Sequence, residues 1–510
     1  MVVWRRISPF WLACLVILVG AASASAALEA ATPRVVTNST GGQNQDASID
    51  RSGKWVLFRS NVNQTTGVTD PGIGTFDFDN SGAGFTPPGA TPPDPSCPSC
   101  LGINFGSHSN LYLWQMKKKA GVPANSVRQL TFSLSGGVDA NESPDMDARA
   151  QYGVWSSDQT QYIGNPDGNR EIFLVELKTG AISEITDTTG GGNTANREPC
   201  ISDGGKVVVF DSNRDFAGAN CTLGDGVTPC SNADGNSEIM VWDRASGAFT
   251  QVTATTAGLG TANIRARISN DGRYLVFQST RDFSGVLPGG TVCTQLDGVS
   301  ACANDGNAEI YRYDRKDNLL MQLTDTVNGA GCGGASANER AEISKRGRWI
   351  TFQSKCEAQL NPTGCGDCNG NDEVFLVNPK KAAIQQVTIS DGGFNRVPRI
   401  SGAGNYIVFE SNRAYLSGNG THSKVLYVLR RNDRKPRPGL SGAGQLVEDA
   451  TLAGQGIAQS PQAKLTLIGV SGGFSSSIEN FGVSTNGRYI AFDNSKGVGN
   501  QEIWWADRKK

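Results

Sequence analysis

Histidine is almost absent from this chain of 510 residues, which contains His108 and His422 and no other. A serine nucleophile in the pattern Gly-x-Ser-x-Gly needs a sharp strand-to-helix turn and a histidine that follows it along the chain. Residues 469–473 match this pattern around Ser471, but both histidines precede it. The sequence therefore excludes a hydrolase domain built on Ser471.

An excess of positive charge is also lacking. The chain has 46 Lys and Arg against 48 Asp and Glu, which gives a formal net charge of −2 at pH 7. Nucleic-acid binding depends on clustered Lys and Arg that neutralise phosphates, so we expect no nucleic-acid partner. No long apolar run follows residue 26, so we also expect no membrane span in the mature chain.

Residues 1–26 have the composition of a secretory signal peptide. Arg5 and Arg6 precede an apolar stretch that continues to Val19, and Ala24 and Ala26 offer a small-residue cleavage site. An uncleaved membrane anchor is the alternative. We expect an exported protein, periplasmic or extracellular, whose mature chain comprises residues 27–510.

A cassette of four strand-length segments recurs seven times after this leader. In the clearest copy, Ile268 and Ser269 precede a Gly turn and the run 274–279, and the segments 306–314 and 322–324 follow. Val, Ile, Phe, Tyr and Trp dominate the segments, as is typical of strands, and Gly, Asn or Asp separates them. Four strands per repeat indicate a blade of a β-propeller.

The cassettes predict one all-β domain over residues 27–510, a seven-bladed β-propeller of four-stranded antiparallel blades. The last cassette stops after its third strand, and residues 33–37 match the fourth strand of the others. We expect this N-terminal strand to close the last blade, because an open ring would expose unpaired strand edges. A closed ring favours a monomer. The cassettes lie near residues 44–131, 141–186, 196–253, 263–324, 338–388, 395–467 and 478–507.

Most cysteines lie in insertions between the second and third strands. Two insertions share the frame Cys-Thr-x-x-Asp-Gly-Val-x-x-Cys, and their equal spacing favours a local disulfide in each, Cys221 with Cys230 and Cys293 with Cys302. All the disulfide candidates are Cys221, Cys230, Cys293, Cys302, Cys97, Cys100, Cys332, Cys356, Cys365 and Cys368.

Two Cys-x-x-Cys motifs leave a choice of interpretations. Cys97 with Cys100 and Cys365 with Cys368 could be halves of a zinc site or redox motifs, but disulfides fit an oxidising compartment better. Cys200, on an inner strand, is expected to be a buried free thiol.

A polar ring is predicted at one mouth of the central channel, on the face that carries the long insertions. An Asn recurs where the inner strands begin, as at Asn263 and Asn338, and the next two positions are often charged. These side chains could bind a peptide, a glycan or a protein, or they could form ion pairs between blades. We expect the recurring Asn to cap turns. The candidate binding residues are Asp46, Glu142, Arg197, Glu198, Arg265, Glu339, Arg340, Arg396 and Glu479.

No resident cofactor is expected. Residues 77–82 begin like a calcium loop, with Asp77 and Asp79 as candidate ligands, but the twelfth position is Pro88 rather than Glu. A calcium site of another kind is the alternative. Asp-Gly-Asn-x-Glu segments, as at 305–309, also offer carboxylates, but their repetition favours a turn before the third strand.

The segments 268–279 with 306–314, and 343–354 with 370–378, resemble the WD-like repeats of the TolB-type propeller family. Such propellers occur as exported binding proteins and as accessory domains of enzymes, so the resemblance implies a fold rather than an activity. The chain departs from TolB in lacking a preceding α/β domain. We expect a non-catalytic binding or scaffold protein that presents its long-loop face to a protein or carbohydrate. The alternative is a propeller enzyme, a polysaccharide lyase or hydrolase, with a channel-mouth site and a divalent cation.

Overall fold

The structure is a computed structural model that describes most of the chain in segments. The described residues are 29–31, 33–37, 42–61, 69–70, 74–75, 109–116, 126–131, 141–159, 165–189, 196–256, 263–284, 287–327, 329, 332, 337–360, 370–390, 392–413, 424–431, 446–447, 464–468, 480–495 and 500–508. The predicted signal peptide, residues 1–26, lies outside them. Within them, no helix is long and apolar enough to cross a membrane.

The described segments consist mainly of short strands. In the first half of the chain they are β1 (Glu29–Ala31), β2 (Arg34–Val35), β3 (Gly42–Ile49), β4 (Trp55–Ser60), β5 (Thr69–Asp70), β6 (Gly74–Thr75), β7 (Asn110–Gln115), β8 (Ser126–Gln129), β9 (Asn141–Met146), β10 (Tyr152–Ser157), β11 (Glu171–Glu176), β12 (Ile182–Glu184), β13 (Asn196–Ile201), β14 (Val207–Ser212), β15 (Cys221–Leu223), β16 (Glu238–Asp243) and β17 (Ala248–Gln251).

The second half continues with strands of similar length, the α-helical turn α1 (Glu357–Leu360), and 3-10 turns at Pro288–Gly290 and Pro379–Lys381. The strands are β18 (Asn263–Ile268), β19 (Tyr274–Ser279), β20 (Val292–Gln295), β21 (Glu309–Asp314), β22 (Leu319–Gln322), β23 (Asn338–Ile343), β24 (Ile350–Ser354), β25 (Glu373–Asn378), β26 (Ala383–Gln386), β27 (Thr388–Ile389), β28 (Asn395–Ile400), β29 (Tyr406–Ser411), β30 (Val425–Arg430), β31 (Leu446–Val447), β32 (Lys464–Ile468), β33 (Phe481–Val483), β34 (Tyr489–Ser495) and β35 (Asn500–Asp507).

The strands form antiparallel sheets in the order that the cassettes predict. Innermost strand first, β9-β10-β11-β12 and β23-β24-β25-β26 are four-stranded, and β13-β14-β16-β17, β18-β19-β21-β22 and β28-β29-β30-β32 each gain a fifth, outermost strand. One eight-stranded sheet contains β3-β4-β7-β8 and β33-β34-β35, joined by a short parallel contact of β3 with β35, and β2 pairs with β35. The all-β propeller fold is confirmed.

The hydrophobic core lies between successive sheets. The second and third strands of each sheet are covered on both faces, so they are nearly continuous apolar runs, as in β14, whose six residues are all buried. Val209 and Val241 of one sheet, for example, share a cluster with Leu275 and Phe277 of the next. Burial of each such side chain contributes about 2 kcal/mol to folding.

A buried polar network also joins neighbouring sheets. Asn338 donates from Nδ2 to Glu309 Oε2 at 3.2 Å and to Thr326 Oγ1 at 2.8 Å, and Thr326 donates from its backbone N to Glu309 Oε1 at 2.8 Å. The other residues that make equivalent bonds are Asn44 with Glu502, Asn196 with Glu171, Asn263 with Glu238, and Asn395 with Glu373. The expectation that the recurring Asn caps turns is therefore wrong, since its amide links one sheet to the next. The Glu of the Asp-Gly-Asn-x-Glu segments serves the same network.

The two Cys-Thr insertions carry the disulfides that the sequence predicts. Cys221 bonds to Cys230, Cys293 to Cys302, and Cys332 to Cys356, while Cys200 is free and buried. Each Cys-Thr insertion contributes a strand, β15 or β20, that pairs in parallel with the fourth strand of its own sheet. Both insertions thus extend the outer edge of the sheet and shield it. Cys97, Cys100, Cys365 and Cys368 lie outside the described residues.

Any side chain at Gly53 is expected to destabilise the protein, because the turn there leaves no space for a Cβ. Gly53 has φ +72°, and a Cβ there would lie 2.1 Å from Cδ2 of Tyr489, whose ring stacks on Trp505 at 5.3 Å between centroids. We expect Gly53→Ala to lower the free energy of unfolding by about 3 kcal/mol, measured by urea denaturation. Gly226 is the matched control, because it has the same φ but no atom within 4 Å of its Cβ position. Gly226→Ala should cost about 1 kcal/mol, and equal losses in both variants would contradict the packing argument.

Candidate functional site

A central cavity of about 380 Å³ is the candidate site. The innermost strands β3, β9, β13, β18, β23, β28 and β33 lie side by side around it, each beside the next in chain order and β33 beside β3. Two positions of each strand supply most of its polar lining. We call the residues two positions after the recurring Asn the mouth ring, and those four positions after it the inner ring.

The residues of the mouth ring lie where the backbone of the inner strands is irregular. The ladder between the first and second strands shifts register next to each of these positions, as a β-bulge does, and the residue there has a left-handed φ without being Gly. The residues and their φ values are Asp46 (58°), Ser143 (49°), Glu198 (48°), Arg265 (58°), Arg340 (54°) and Val397 (51°). Such a conformation costs on the order of 1–2 kcal/mol per residue and clusters at functional sites. The bulge repeats, whereas its side chains do not: Asp46, Ser143, Glu198, Arg265 and Arg340 line the cavity, and Val397 is buried in the core.

Several predicted mouth residues pair within their own sheet. Arg197 lies 3.0 Å from Asp211 and Arg396 lies 2.7 Å from Glu410, both on the second strand. Two further pairs of this kind are Glu142 with Arg170 and, at 2.5 Å, Asp46 with Arg59. Burial, with Glu198 nearby, raises the pKa of Asp211, and Arg197 opposes that shift.

Arg265 links three successive inner strands at the mouth. Its guanidinium lies 3.4 Å from Glu339 on one side and 4.0 Å from Glu198 on the other. All three side chains remain solvent-accessible, with 29%, 17% and 37% of the side chain exposed. Arg340 lines the same cavity, and Glu479 lies outside the described residues.

The inner ring was not predicted from the sequence. Its residues are Ser48, Asp145, Cys200, Arg267, Glu342, Arg399 and Gly482, all of which line the cavity except that Cys200 is largely covered by its neighbours. Asp145 accepts hydrogen bonds from Ser48 Oγ at 2.9 Å and from the backbone N of Ile201 at 3.0 Å. The regular spacing of these residues from the recurring Asn was visible in the sequence, but the bulge that decides which of them reach the cavity was not.

Three groups of the inner ring have shifted pKa values. Burial acts to lower the pKa of Arg267, but negative charge nearby, including that of Glu198, Glu342 and Asp145, raises it overall. Burial lowers the pKa of Arg399 to about 10, and Glu342, 3.5 Å from the guanidinium, opposes that shift. Burial, together with the negative charge of Asp145, raises the pKa of the Cys200 thiol well above its ordinary value. Cys200 is therefore a thiol rather than a thiolate at neutral pH, and it is a poor nucleophile.

The described residues do not assemble a metal centre. Among them, no group of three or more His, Cys, Asp and Glu side chains could hold an ion. The candidate calcium loop at residues 77–82 lies outside the described part of the chain, as do both histidines. Glu309 of the segment 305–309, and Glu238 of the matching segment 234–238, lie in the networks between sheets instead.

No protein-family model matches the chain, and no curated protein matches its sequence. Among solved structures it is similar to TolB from Acinetobacter baumannii, at 18% identity and a TM-score of 0.35 over 63% of this chain and 57% of that one. It is also similar to oligogalacturonate lyase from Vibrio parahaemolyticus, at 11% identity and a TM-score of 0.48 over 93% and 92%. The β-propeller domain of the Trilobed protease from Pyrococcus furiosus aligns at 8% identity and a TM-score of 0.44 over 92% and 95%. At these values a function has to be argued from the residues of this chain.

Proposed function

We propose that residues 27–510 form one monomeric, seven-bladed propeller of the TolB type, whose last blade is closed by the N-terminal strand. The pairing of Arg34 with Trp505 and of Val35 with Trp504 supports this closure, because it gives β35 a fourth-strand neighbour. The position of β33 beside β3 supports a ring rather than an open array.

We further propose that this ring is an exported, non-catalytic binding protein whose partner, a protein or a carbohydrate, docks on the channel mouth. The observation that carries the proposal is the mouth ring itself, where a strained backbone repeated from strand to strand presents different, partly exposed charges. Strain of this kind persists where the surrounding fold enforces it, and it commonly serves recognition. The three disulfides among the described residues support an oxidising, exported location.

The binding surface can be tested with a pair of charge variants at opposite ends of the ring. The mouth variant combines Glu198→Ala and Arg265→Ala. The control combines Arg273→Ala and Asp314→Ala, an ion pair of 2.7 Å that follows the Gly272 turn at the other end of the sheet. Proteins and glycans from the exported fraction are captured on the intact protein, and each purified candidate is then titrated against all three proteins.

We expect the mouth variant to weaken the genuine partner at least 10-fold, because central charged anchors in an interface contribute about 1–3 kcal/mol each. The control should bind as the intact protein does. A partner whose affinity is equal for all three proteins would contradict the assignment of the mouth. New reducing or unsaturated sugar ends produced by the intact protein would favour the enzyme alternative instead.

A further inference from the structure

The charges that line the cavity are segregated by side. On the first three inner strands the mouth and inner rings carry Asp46, Asp145 and Glu198 and no basic residue. On the next three they carry four arginines and one acid, namely Arg265, Arg267, Arg340, Arg399 and Glu342. The cavity therefore has an acidic wall that faces a basic wall.

The charged groups of the two walls differ in whether they already form an ion pair within the protein. Arg399 is paired with Glu342 at 3.5 Å, and Asp46 with Arg59. Arg267 donates from Nη1 to the carbonyl oxygen of Ala266 at 3.0 Å and forms no ion pair within 4.0 Å among the described residues. On the opposite wall, Asp145 accepts two hydrogen bonds and retains lone pairs for more. Arg267 and Asp145 are thus the groups with capacity for a ligand.

The size and depth of the cavity limit what could enter. A volume of about 380 Å³ lies near the lower end of small-molecule sites, about 300–1,000 Å³. Beside the inner ring, the cavity is lined by aliphatic side chains such as Ile201, Ile268 and Ile343. These isoleucines are 5–6% exposed and pack mainly in the core between sheets, so a ligand here is held chiefly by charged ends that reach both walls.

We propose that the cavity binds a small zwitterion that bears an α-ammonium and an α-carboxylate, from a free amino acid to a dipeptide in size. The ammonium faces Asp145 and the carboxylate faces Arg267. Glu198 and Arg265, which lie 4.0 Å apart at the mouth, add their charges to the acidic and the basic wall. A simple anion would leave the acidic wall unmatched, and a neutral sugar would leave both walls unmatched, at a cost in desolvated charge. The site shares Glu198 and Arg265 with the mouth surface proposed above, but the two proposals can fail separately, because this test uses defined small molecules.

The test is calorimetric titration of the intact protein with three matched ligands. Alanyl-leucine carries both charges, N-acetyl-alanyl-leucine lacks the ammonium, and alanyl-leucine amide lacks the carboxylate. We expect alanyl-leucine to bind and each blocked analogue to bind at least 10-fold more weakly. No binding of alanyl-leucine at millimolar concentration, or equal affinity for all three ligands, would overturn the proposal.

Two protein variants locate each charge. Arg267→Met should weaken alanyl-leucine at least 10-fold and leave the amide unchanged, because the amide has no carboxylate to lose. Glu198→Gln, at a side chain that is 37% exposed and therefore tolerant of change, should weaken alanyl-leucine and leave the N-acetyl analogue unchanged. Arg273→Met, at the other end of the ring, should alter none of the affinities. If Arg267→Met loses the same affinity for every ligand, the guanidinium does not bind the ligand's carboxylate.

Discussion

Substitution of Glu373 by Gln is expected to remove a large part of the pH dependence of stability, and the wild-type protein is expected to lose stability as the pH rises from 5 to 8. Burial raises the pKa of Glu373 to about 8, against opposing hydrogen bonds from Ser390 and Thr388. Burial also raises the pKa values of Glu238 and Glu309 to about 7.

The sign of the pH dependence follows from the number of protons that the folded and the unfolded state bind. An unfolded Glu releases its proton near its ordinary value of about 4.5, whereas these folded carboxyls hold theirs to pH 7–8. Between those limits the folded state binds more protons, so the free energy of unfolding falls with rising pH. A rise of the pKa from 4.5 to about 7 or 8 corresponds to roughly 3–5 kcal/mol for each carboxyl. The stabilisation is complete below about pH 4.5 and is lost as the pH passes through 7 and 8.

The free energy of unfolding is measured by urea denaturation at steps of half a pH unit. The readout is the slope of that free energy against pH rather than its value at any one pH. Glu373→Gln also places an amide among donors, including Asn395 Nδ2 and the backbone N of Ser390, so a constant penalty is expected at every pH. That penalty is the same at every pH, so it does not change the slope of stability against pH. The slope should become shallower because the substituted side chain no longer titrates. Glu176→Gln, a carboxyl near the surface that accepts from Thr179 Oγ1, is the control and should leave the slope unchanged. A wild-type protein that gains stability between pH 5 and 8 would contradict the argument.

The fold was predictable because its signals are local and repeated. The alternation of apolar and polar residues, the turn glycine and the aromatic landmark recur from cassette to cassette. A copy that lacks one of these features can therefore still be aligned with the others. The second cassette shows this: Ala150 stands where the other copies have Gly, yet it adopts φ 52° and the turn is preserved. The local disulfides were equally readable, since a spacing of nine residues within one insertion fixes the partner.

The site was less predictable because it depends on contacts between neighbouring sheets. The network of Asn338 and Glu309 requires knowing that the third strand of one sheet faces the first strand of the next, which a motif within one cassette does not contain. The inner ring was missed for a related reason: the bulge changes which side chains reach the cavity, and its positive φ falls on Asp, Ser, Glu, Arg and Val rather than on a diagnostic Gly. The route of the Cys-Thr insertions along the outer edge likewise comes from pairing of β15 with β17 and of β20 with β22.

Removal of residues 27–37 is expected to have the largest effect on the ring, about 5 kcal/mol or complete loss of folding. Val36, which is 1% exposed, donates its backbone N–H to Ile503 O at 2.7 Å, and Thr37 Oγ1 accepts from the backbone N of Ile503 at 2.9 Å. The same hydroxyl donates to Glu502 Oε2, which also accepts from Asn44 Nδ2 at 3.2 Å. Deletion therefore exposes the edge of β35, discards a buried valine and leaves a buried carboxylate short of a donor.

A shorter deletion separates closure from truncation in general. Removing residues 27–32 eliminates β1, which adds a parallel strand beyond β32, but keeps β2 and Thr37. We expect that variant to lose about 1 kcal/mol, since β1 lies at an outer edge, and to remain monomeric by light scattering. The longer deletion should aggregate, and a synthetic peptide of residues 29–40 added in excess should raise its melting temperature by rebinding to β35. If the two deletions melt at the same temperature, the N-terminal strand is an appendage, and β35 must be the finished edge of an open array.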